Sequence, residues 1–132
     1  MSKLGITACG SYEDAEVAES LGRLLAAVGG LDWVEPGMRI AVKTNLLSGS
    51  APEKAVVTHP AVLSALCRLL AARGALVTVG DSPGGPFTEG HLKRIYRLSG
   101  MEQVEGAGAR LNMDVSQCEA SFPNGKVLRQ LT

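Results

Sequence analysis

The chain has 132 residues, of which 45% are hydrophobic and 20% charged. This composition excludes an intrinsically disordered protein and fits one domain. The 13 basic and 13 acidic residues give a net charge of zero, and aromatic residues make up only 4%. These values argue against a protein that holds nucleic acid or a membrane surface through bulk charge. No apolar run approaches the length of a membrane-spanning helix. The three cysteines are odd in number and spread along the chain, which favours a reducing, cytoplasmic location.

The apolar periodicity and the turn residues predict strands that alternate with helices. In chain order they are a strand over residues 3–8, a helix that ends before Gly29, a strand over residues 38–44, a helix over about residues 58–73, a strand over residues 75–80, a helix over about residues 88–99, one further helical turn over residues 101–105 and a strand over residues 109–115. This order is typical of an α/β fold with a mainly parallel sheet and helices packed on it, a Rossmann-like three-layer arrangement. Pro123-Asn124-Gly125 between two short runs indicates a C-terminal hairpin.

Polar residues with short side chains predict where the helices begin. Ser11 and Asp14 form a Ser-x-x-Asp capping pattern before the first helix, and Thr58 and Thr88 are placed to cap the second and third. Residues 45–57, between the second strand and the second helix, show no periodicity and predict a long loop. Leu92, Ile95 and Tyr96 are expected to face the core, as is Cys67.

Three segments bring polar residues to the ends of predicted strands or to the start of a helix. Right-handed crossovers place strand-to-helix loops at one edge of a parallel sheet, where ligands of open α/β sheets bind. A lysine, an asparagine, a helix N-terminus and a glycine-rich turn together favour an anion such as phosphate or carboxylate. A carboxylate and a hydroxyl beside them could orient a sugar hydroxyl, a water or a metal. The predicted ligand-binding residues are Lys43, Asn45, Thr58, His59, Asp81, Ser82 and Gly84.

Each of these residues, taken alone, also has a purely structural explanation. Asp81 and Ser82, followed by Pro and Gly, form ordinary turn chemistry, and a histidine at a helix start is more often structural than a ligand. Standard motifs are incomplete: Gly80 and Gly85 have Walker spacing, but Pro86 stands where that motif requires lysine. No histidine pattern predicts a self-contained metal site. Cys9 is placed at the end of the first predicted strand, on the same edge of the sheet.

Three blocks of this sequence resemble the domain of unknown function 362 family. They are residues 42–46 (Val-Lys-Thr-Asn-Leu), residues 58–74 (Thr-His-Pro and a Leu- and Ala-rich helix ending in Ala-Arg-Gly), and residues 77–84 (Val-Thr-Val-Gly-Asp-Ser-Pro-Gly). The resemblance implies a conserved bacterial or archaeal cytoplasmic protein without settled activity or catalytic residues. Many relatives carry a ferredoxin-like iron–sulfur segment after this domain. We therefore expect a single α/β domain over residues 1–132 that is the N-terminal part of a longer protein. No cofactor is encoded within it, and a 4Fe-4S cluster is expected only beyond Thr132.

The function expected from these observations is a ligand- or cofactor-binding α/β domain of a redox-linked protein, with a small anionic ligand at the strand ends. An alternative is an interaction module that docks an iron–sulfur protein or domain and binds no small molecule. An enzyme that acts alone is the third reading, and nucleophile and metal signatures for it are missing. Charge supports the first reading, because residues 39–99 hold 8 basic and 3 acidic groups, a net charge of +5, whereas residues 1–38 hold 2 and 6, a net charge of −4.

Overall fold

The computed structural model describes residues 3–127 and residues 130–131. The helices are α1 (Asp14–Val28), α2 (Pro60–Ala71) and α3 (Glu89–Leu98), with short 3-10 helices at Pro52–Lys54 and Met101–Ala107. The strands are β1 (Arg39–Lys43), β2 (Leu76–Gly80), β3 (Ala109–Leu111), β4 (Ala120–Ser121) and β5 (Gln130–Leu131).

The main sheet is parallel and has the order β1-β2-β3. Arg39 lies opposite Leu76, and Thr78 lies between Ala41 on β1 and Arg110 on β3. Because all three strands run parallel, β1 and β3 end at the same edge of the sheet as the central strand β2. The α/β class and the mainly parallel sheet with helices packed on it are therefore confirmed.

One hydrophobic core lies between the sheet and the helices. Val77 and Val79 on β2 contribute to it, and α2, α3 and the second 3-10 helix supply most of the rest. Ile95 and Tyr96 are almost completely buried, as is Leu92, so the predicted inward face of α3 is confirmed. Cys67 is also buried in this core as predicted, and burial raises the pKa of its thiol.

The helices cover one face of the sheet in the part of the chain that the structure describes. The residues that alternate with the core residues lie on the opposite face and are exposed or half-buried. They are Arg39, Ala41, Lys43, Leu76, Thr78, Gly80 and Arg110. We call this surface the open face. A Rossmann-like three-layer arrangement would have a second layer of helices on this face, and the described residues form none there.

The prediction of a first strand at residues 3–8 is wrong, because this described segment pairs with no strand. It runs along α1 instead: a Cβ added to Gly5 would lie 2.8 Å from Val28 Cγ1 and 3.0 Å from Leu24 Cδ1. The Ser20 hydroxyl also donates a hydrogen bond to the carbonyl of Ala8 at 3.2 Å. The glycine thus packs against a helix, and Cys9 does not end a strand.

Two of the predicted helix caps are also wrong. α1 begins at Asp14 after Glu13, whose side chain makes no cap, and the Ser11 hydroxyl donates to the Glu16 carboxylate instead. The Ser11 hydroxyl and then the Gly10 N–H stabilise that carboxylate and lower the pKa of Glu16. α2 is capped by His59 rather than Thr58, whereas Thr88 caps α3 by accepting from the N–H of His91 at 3.3 Å, as predicted.

The predicted loop at residues 45–57 is present, with the first 3-10 helix inside it, and the helical turn predicted at residues 101–105 is the second 3-10 helix. β3 covers only the start of the predicted strand at residues 109–115. The hairpin is confirmed by the antiparallel pair β4 and β5, although residues 128–129 lie outside the described residues. No helix among the described residues is long and apolar enough to cross a membrane.

Candidate functional site

The Asp81 carboxylate joins the ends of β1 and β2. Its Oδ1 atom accepts from Lys43 Nζ at 2.8 Å and from the N–H of Ser82 at 2.9 Å, and its Oδ2 atom accepts from the N–H of Leu46 at 2.8 Å. The Asp81 side chain is only 6% exposed, whereas the side chain of Lys43 is 73% exposed. Burial raises the pKa of Asp81, but the Lys43 ammonium and the two backbone N–H groups outweigh it and hold the pKa below its ordinary value.

Asn45 and Thr58 close the long loop between β1 and α2. The N–H of Asn45 donates to Thr58 Oγ1 at 3.1 Å, and the N–H of Thr58 donates to the carbonyl of Asn45 at 3.0 Å. The Asn45 amide reaches the carbonyl of Val56 at 3.4 Å. These bonds hold the loop ends together and account for both residues without a ligand.

His59 caps α2 through its imidazole. Its Nδ1 atom accepts from the N–H of Ala61 at 3.2 Å, which requires that nitrogen to be unprotonated. The Tyr12 ring stacks on the imidazole, with ring centroids 3.6 Å apart. The carbonyl of His59 accepts from the N–H groups of Val62 and Leu63, so the first donors of α2 have partners within the chain.

Gly84 ties the loop after β2 to the loop after β1. Its N–H donates to the carbonyl of Leu47 at 2.6 Å, and its own carbonyl lies 3.0 Å from His91 Nε2. Leu47 has a φ of 51°, a left-handed conformation that is uncommon for residues other than glycine. The loop that carries Leu46 and Leu47 is therefore fixed by contacts with the loop after β2.

A cleft of ≈ 580 Å³ opens on the carboxyl-end half of the open face. We call it the strand-end cleft; it is lined by Ala41, Val42, Lys43, Thr78, Gly80, Asp81, Ser82, Phe87 and Asn112. Its volume falls within the range of small-molecule sites. Its polar atoms come from two neighbouring strand ends, and Phe87 supplies an aromatic wall.

Asn112 is held over Gly80 at one side of the cleft. Its N–H donates to the carbonyl of Val79 at 2.8 Å, and its carbonyl accepts from the buried Tyr96 hydroxyl at 2.7 Å. A Cβ at Gly80 would lie 2.9 Å from the Cβ of Asn112, closer than side chains approach, so glycine makes room for this side chain. The Asn112 amide makes only long contacts of 3.4 Å to Asp114.

The structure therefore brings some of the predicted site residues together and separates others. Lys43, Asp81 and Ser82 line the strand-end cleft, whereas the other four, Asn45, Thr58, His59 and Gly84, are not among its lining residues. Sequence reasoning missed Phe87 and Asn112. Asn112 lay inside the strand predicted over residues 109–115, and only the earlier end of β3 at Leu111 places it at a strand end. Neither Asn112 nor Phe87 therefore carried a signal in the sequence.

Among residues 3–127 and 130–131, no group of three or more His, Cys, Asp or Glu side chains could hold a metal ion. All three cysteines are unpaired, with Cys9 and Cys118 exposed.

A family model matches residues 40–132 of the chain. The model is described as "Domain of unknown function (DUF362)". The chain belongs to this DUF362 family. The three sequence blocks that indicated the family all lie within the matched residues, and they include Lys43, Asp81 and Ser82.

A curated relative of this DUF362 chain is the "Thylakoid-associated protein" of Synechocystis sp.. The two are 39% identical over 111 residues, which is 79% of this chain and 34% of the relative. The chain thus spans about a third of the relative's length. No solved structure matches the chain significantly.

Proposed function

We propose that this DUF362 chain binds a small anionic ligand with an apolar or planar body in the strand-end cleft. The observation that carries the proposal is the meeting of Lys43, Ser82 and Asn112 around one cleft beside an aromatic wall. The carboxyl edge of a parallel sheet is where ligands of open α/β folds bind.

Lys43 is the anion-binding group in this proposal. One of its three N–H donors is used by Asp81, which fixes the position of the ammonium group, and its exposure leaves the others accessible. A donor that is already oriented loses less conformational entropy when a ligand binds. Asp81 has both oxygens occupied by protein donors and acts here as a positioning residue.

Ser82 and Asn112 supply the orientation. No described residue bonds the Ser82 hydroxyl, and the Asn112 amide is held only by long contacts, so both offer hydrogen bonds to a ligand. Phe87 and Ala41 favour an apolar or planar body next to the anionic group. Asn45, Thr58, His59 and Gly84 support the cleft by fixing its loops.

Calorimetric titration with phenyl phosphate, inorganic phosphate and benzyl alcohol tests this proposal. We expect phenyl phosphate to bind more tightly than phosphate and benzyl alcohol to give no measurable heat. Lys43→Ala should abolish binding of both phosphates, and Phe87→Ala should remove only the advantage of phenyl phosphate. Lys93→Ala is the matched control, because Lys93 on α3 is also largely exposed and paired with a carboxylate, that of Glu89. Equal loss in the Lys43 and Lys93 variants, or no binding to the wild type, would refute the proposal.

We also propose that the domain serves a redox-linked, cytoplasmic protein. The family resemblance, with its iron–sulfur segments in many relatives, supports the redox link, and three unpaired cysteines support a reducing compartment. Iron and sulfide analysis of the protein expressed from its gene and purified without oxygen tests the redox link. Fractionation of cells that express it tests the cytoplasmic location, and recovery in a thylakoid or other membrane fraction would contradict that location.

A further inference from the structure

The second half of the open face, away from the strand-end cleft, forms a shallow groove. It has a volume of ≈ 660 Å³, and its lining includes the exposed Arg39 and Ala41 on β1, the exposed Leu76 and half-buried Thr78 on β2, and the exposed Arg110 on β3. Leu76 is 61% exposed although it lies on the central strand. Parallel sheets are almost always covered on both faces, so an uncovered leucine here indicates a surface that another element covers.

We propose that this groove docks an amphipathic helix whose polar flanks carry carboxylates. The groove adjoins the strand-end cleft and shares Ala41 and Thr78 with it, but Arg39, Leu76 and Arg110 lie outside the cleft, so the proposal does not rest on the ligand proposal. Helices are the elements that cover parallel sheets, and the part that matches this chain makes up only 34% of the DUF362 relative, so most of that protein's length is available for such an element.

The width of the groove fits one helix. Neighbouring strands lie about 4.8 Å apart, so β1 and β3 are about 10 Å apart, close to the diameter of an α-helix. A helix lying along β2 would therefore rest on Leu76 and Thr78 and have Arg39 on one side and Arg110 on the other. The small side chains of Ala41 and Thr78 leave room for large apolar side chains of the helix.

The charge of the groove selects the partner. Its described lining residues include two arginines and no carboxylate. Arg110 is oriented by a hydrogen bond from its Nε atom to Thr78 Oγ1 at 2.9 Å, which leaves the outer guanidinium nitrogens available. Glutamates on both flanks of a helix would pair with Arg39 and Arg110. A second copy of this chain docked through the same groove would instead bring arginines together without acids.

The test uses two fluorescent, hydrocarbon-stapled helical peptides of about 14 residues, enough to span the length of β2. They share one leucine-rich face and carry either Glu or Lys on both flanks, and binding is followed by fluorescence anisotropy. We expect the Glu peptide to bind at least about tenfold more tightly than the Lys peptide. Arg39→Glu with Arg110→Glu should reverse the preference, and Leu76→Asp should weaken both peptides.

The matched control is Arg94→Glu with Arg97→Glu, the same charge change on exposed positions of α3, which should leave both affinities within about twofold of the wild type. If the double Glu variant at the groove does not fold, Arg39→Gln and Arg110→Gln replace it, each expected to weaken the Glu peptide alone. Equal binding of the two peptides, no binding of either at about 1 mM, or an equal effect of the α3 control would overturn the proposal. Self-association of the wild type that Leu76→Asp abolishes, or displacement of the Glu peptide by a single-stranded oligonucleotide, would also overturn it.

Discussion

Asp81 shows how one side chain can determine the shape of a site. It accepts three hydrogen bonds from two loops and from Lys43, and its side chain is nearly buried. Sequence reasoning identified this residue but assigned it to the ligand. In the structure, both carboxylate oxygens of Asp81 accept hydrogen bonds from protein donors. One of these bonds depends on how the loop at Leu46 folds back, which the local sequence does not specify.

The first prediction compares the two partners of this ion pair. Asp81→Ala should lower the free energy of unfolding by about 1–3 kcal/mol, because the N–H groups of Leu46 and Ser82 lose their acceptor. Lys43→Ala should lower it by less than about 1 kcal/mol, because this side chain is largely exposed and water replaces the contact. Urea unfolding measures both, and equal losses would contradict the assigned positioning role of Asp81.

The second prediction concerns pH. The pKa of Asp81 is lower in the folded than in the unfolded chain, so its ionised form stabilises the fold at neutral pH. That contribution is present above the unfolded pKa, near pH 4, and is lost as the pH falls through the folded pKa. The difference in unfolding free energy between wild type and Asp81→Asn should be largest at about pH 7 and shrink below about pH 4. A difference that grew on acidification would contradict the argument.

The third prediction concerns Gly80, where glycine is required by space. Gly80→Ala should destabilise the fold by about 1–3 kcal/mol and displace Asn112, because the new methyl group would lie 2.9 Å from the Asn112 Cβ. Gly22→Ala in α1 is the control, since a Cβ there meets nothing within 4 Å and should stabilise the helix. Thermal unfolding measures both, and effects of the same sign would refute the steric explanation.

At the scale of elements, burial decided which predictions succeeded. β2 and α3 have apolar patterns that match the core they enter, so Val77, Val79 and Ile95 could be placed from sequence alone. Residues 3–8 have a similar strand-like pattern but pack along α1, because Gly5 fits closely against that helix. A pattern of two or three apolar residues does not say which neighbour covers it.

The fourth prediction tests the cap of α2. His59→Ala should lower the unfolding free energy by about 0.5–2 kcal/mol, because the N–H of Ala61 loses its acceptor, and it also removes the stacking on Tyr12. His59→Asn should recover most of the cap without the stacking, since asparagine is a favoured N-cap residue. Thr58→Ala is the comparison, because the sequence predicted Thr58 as the cap. A larger loss of unfolding free energy in Thr58→Ala than in His59→Ala would contradict the observed cap.

At the scale of the whole molecule, the open face places two candidate surfaces side by side. The strand-end cleft and the groove share Ala41 and Thr78, so both lie on the face that the described helices leave uncovered. The parallel sheet, and the edge at which its strands end, could be predicted from the order of elements. Which face stays open could not, because it depends on which side of the sheet each helix crosses.

The fold separates the basic and acidic parts of the chain. The basic middle of the chain, with its net charge of +5 over residues 39–99, contains β1, β2 and most of the strand-end cleft. The acidic first part forms α1, which lies against α2 rather than against the sheet. A chain of zero net charge thus places three positive side chains, Arg39, Lys43 and Arg110, on the open face.

The central claim, that the strand-end cleft binds an anion, is tested most directly by following backbone amide NMR signals during titration with phenyl phosphate. We predict saturable shifts concentrated at Lys43, Gly80, Ser82, Phe87 and Asn112, with small shifts at the first residues of α2, whose N–H groups are already bonded within the chain. Shifts concentrated at the start of α2, or uniform shifts over the basic surface of α3, would contradict the claim.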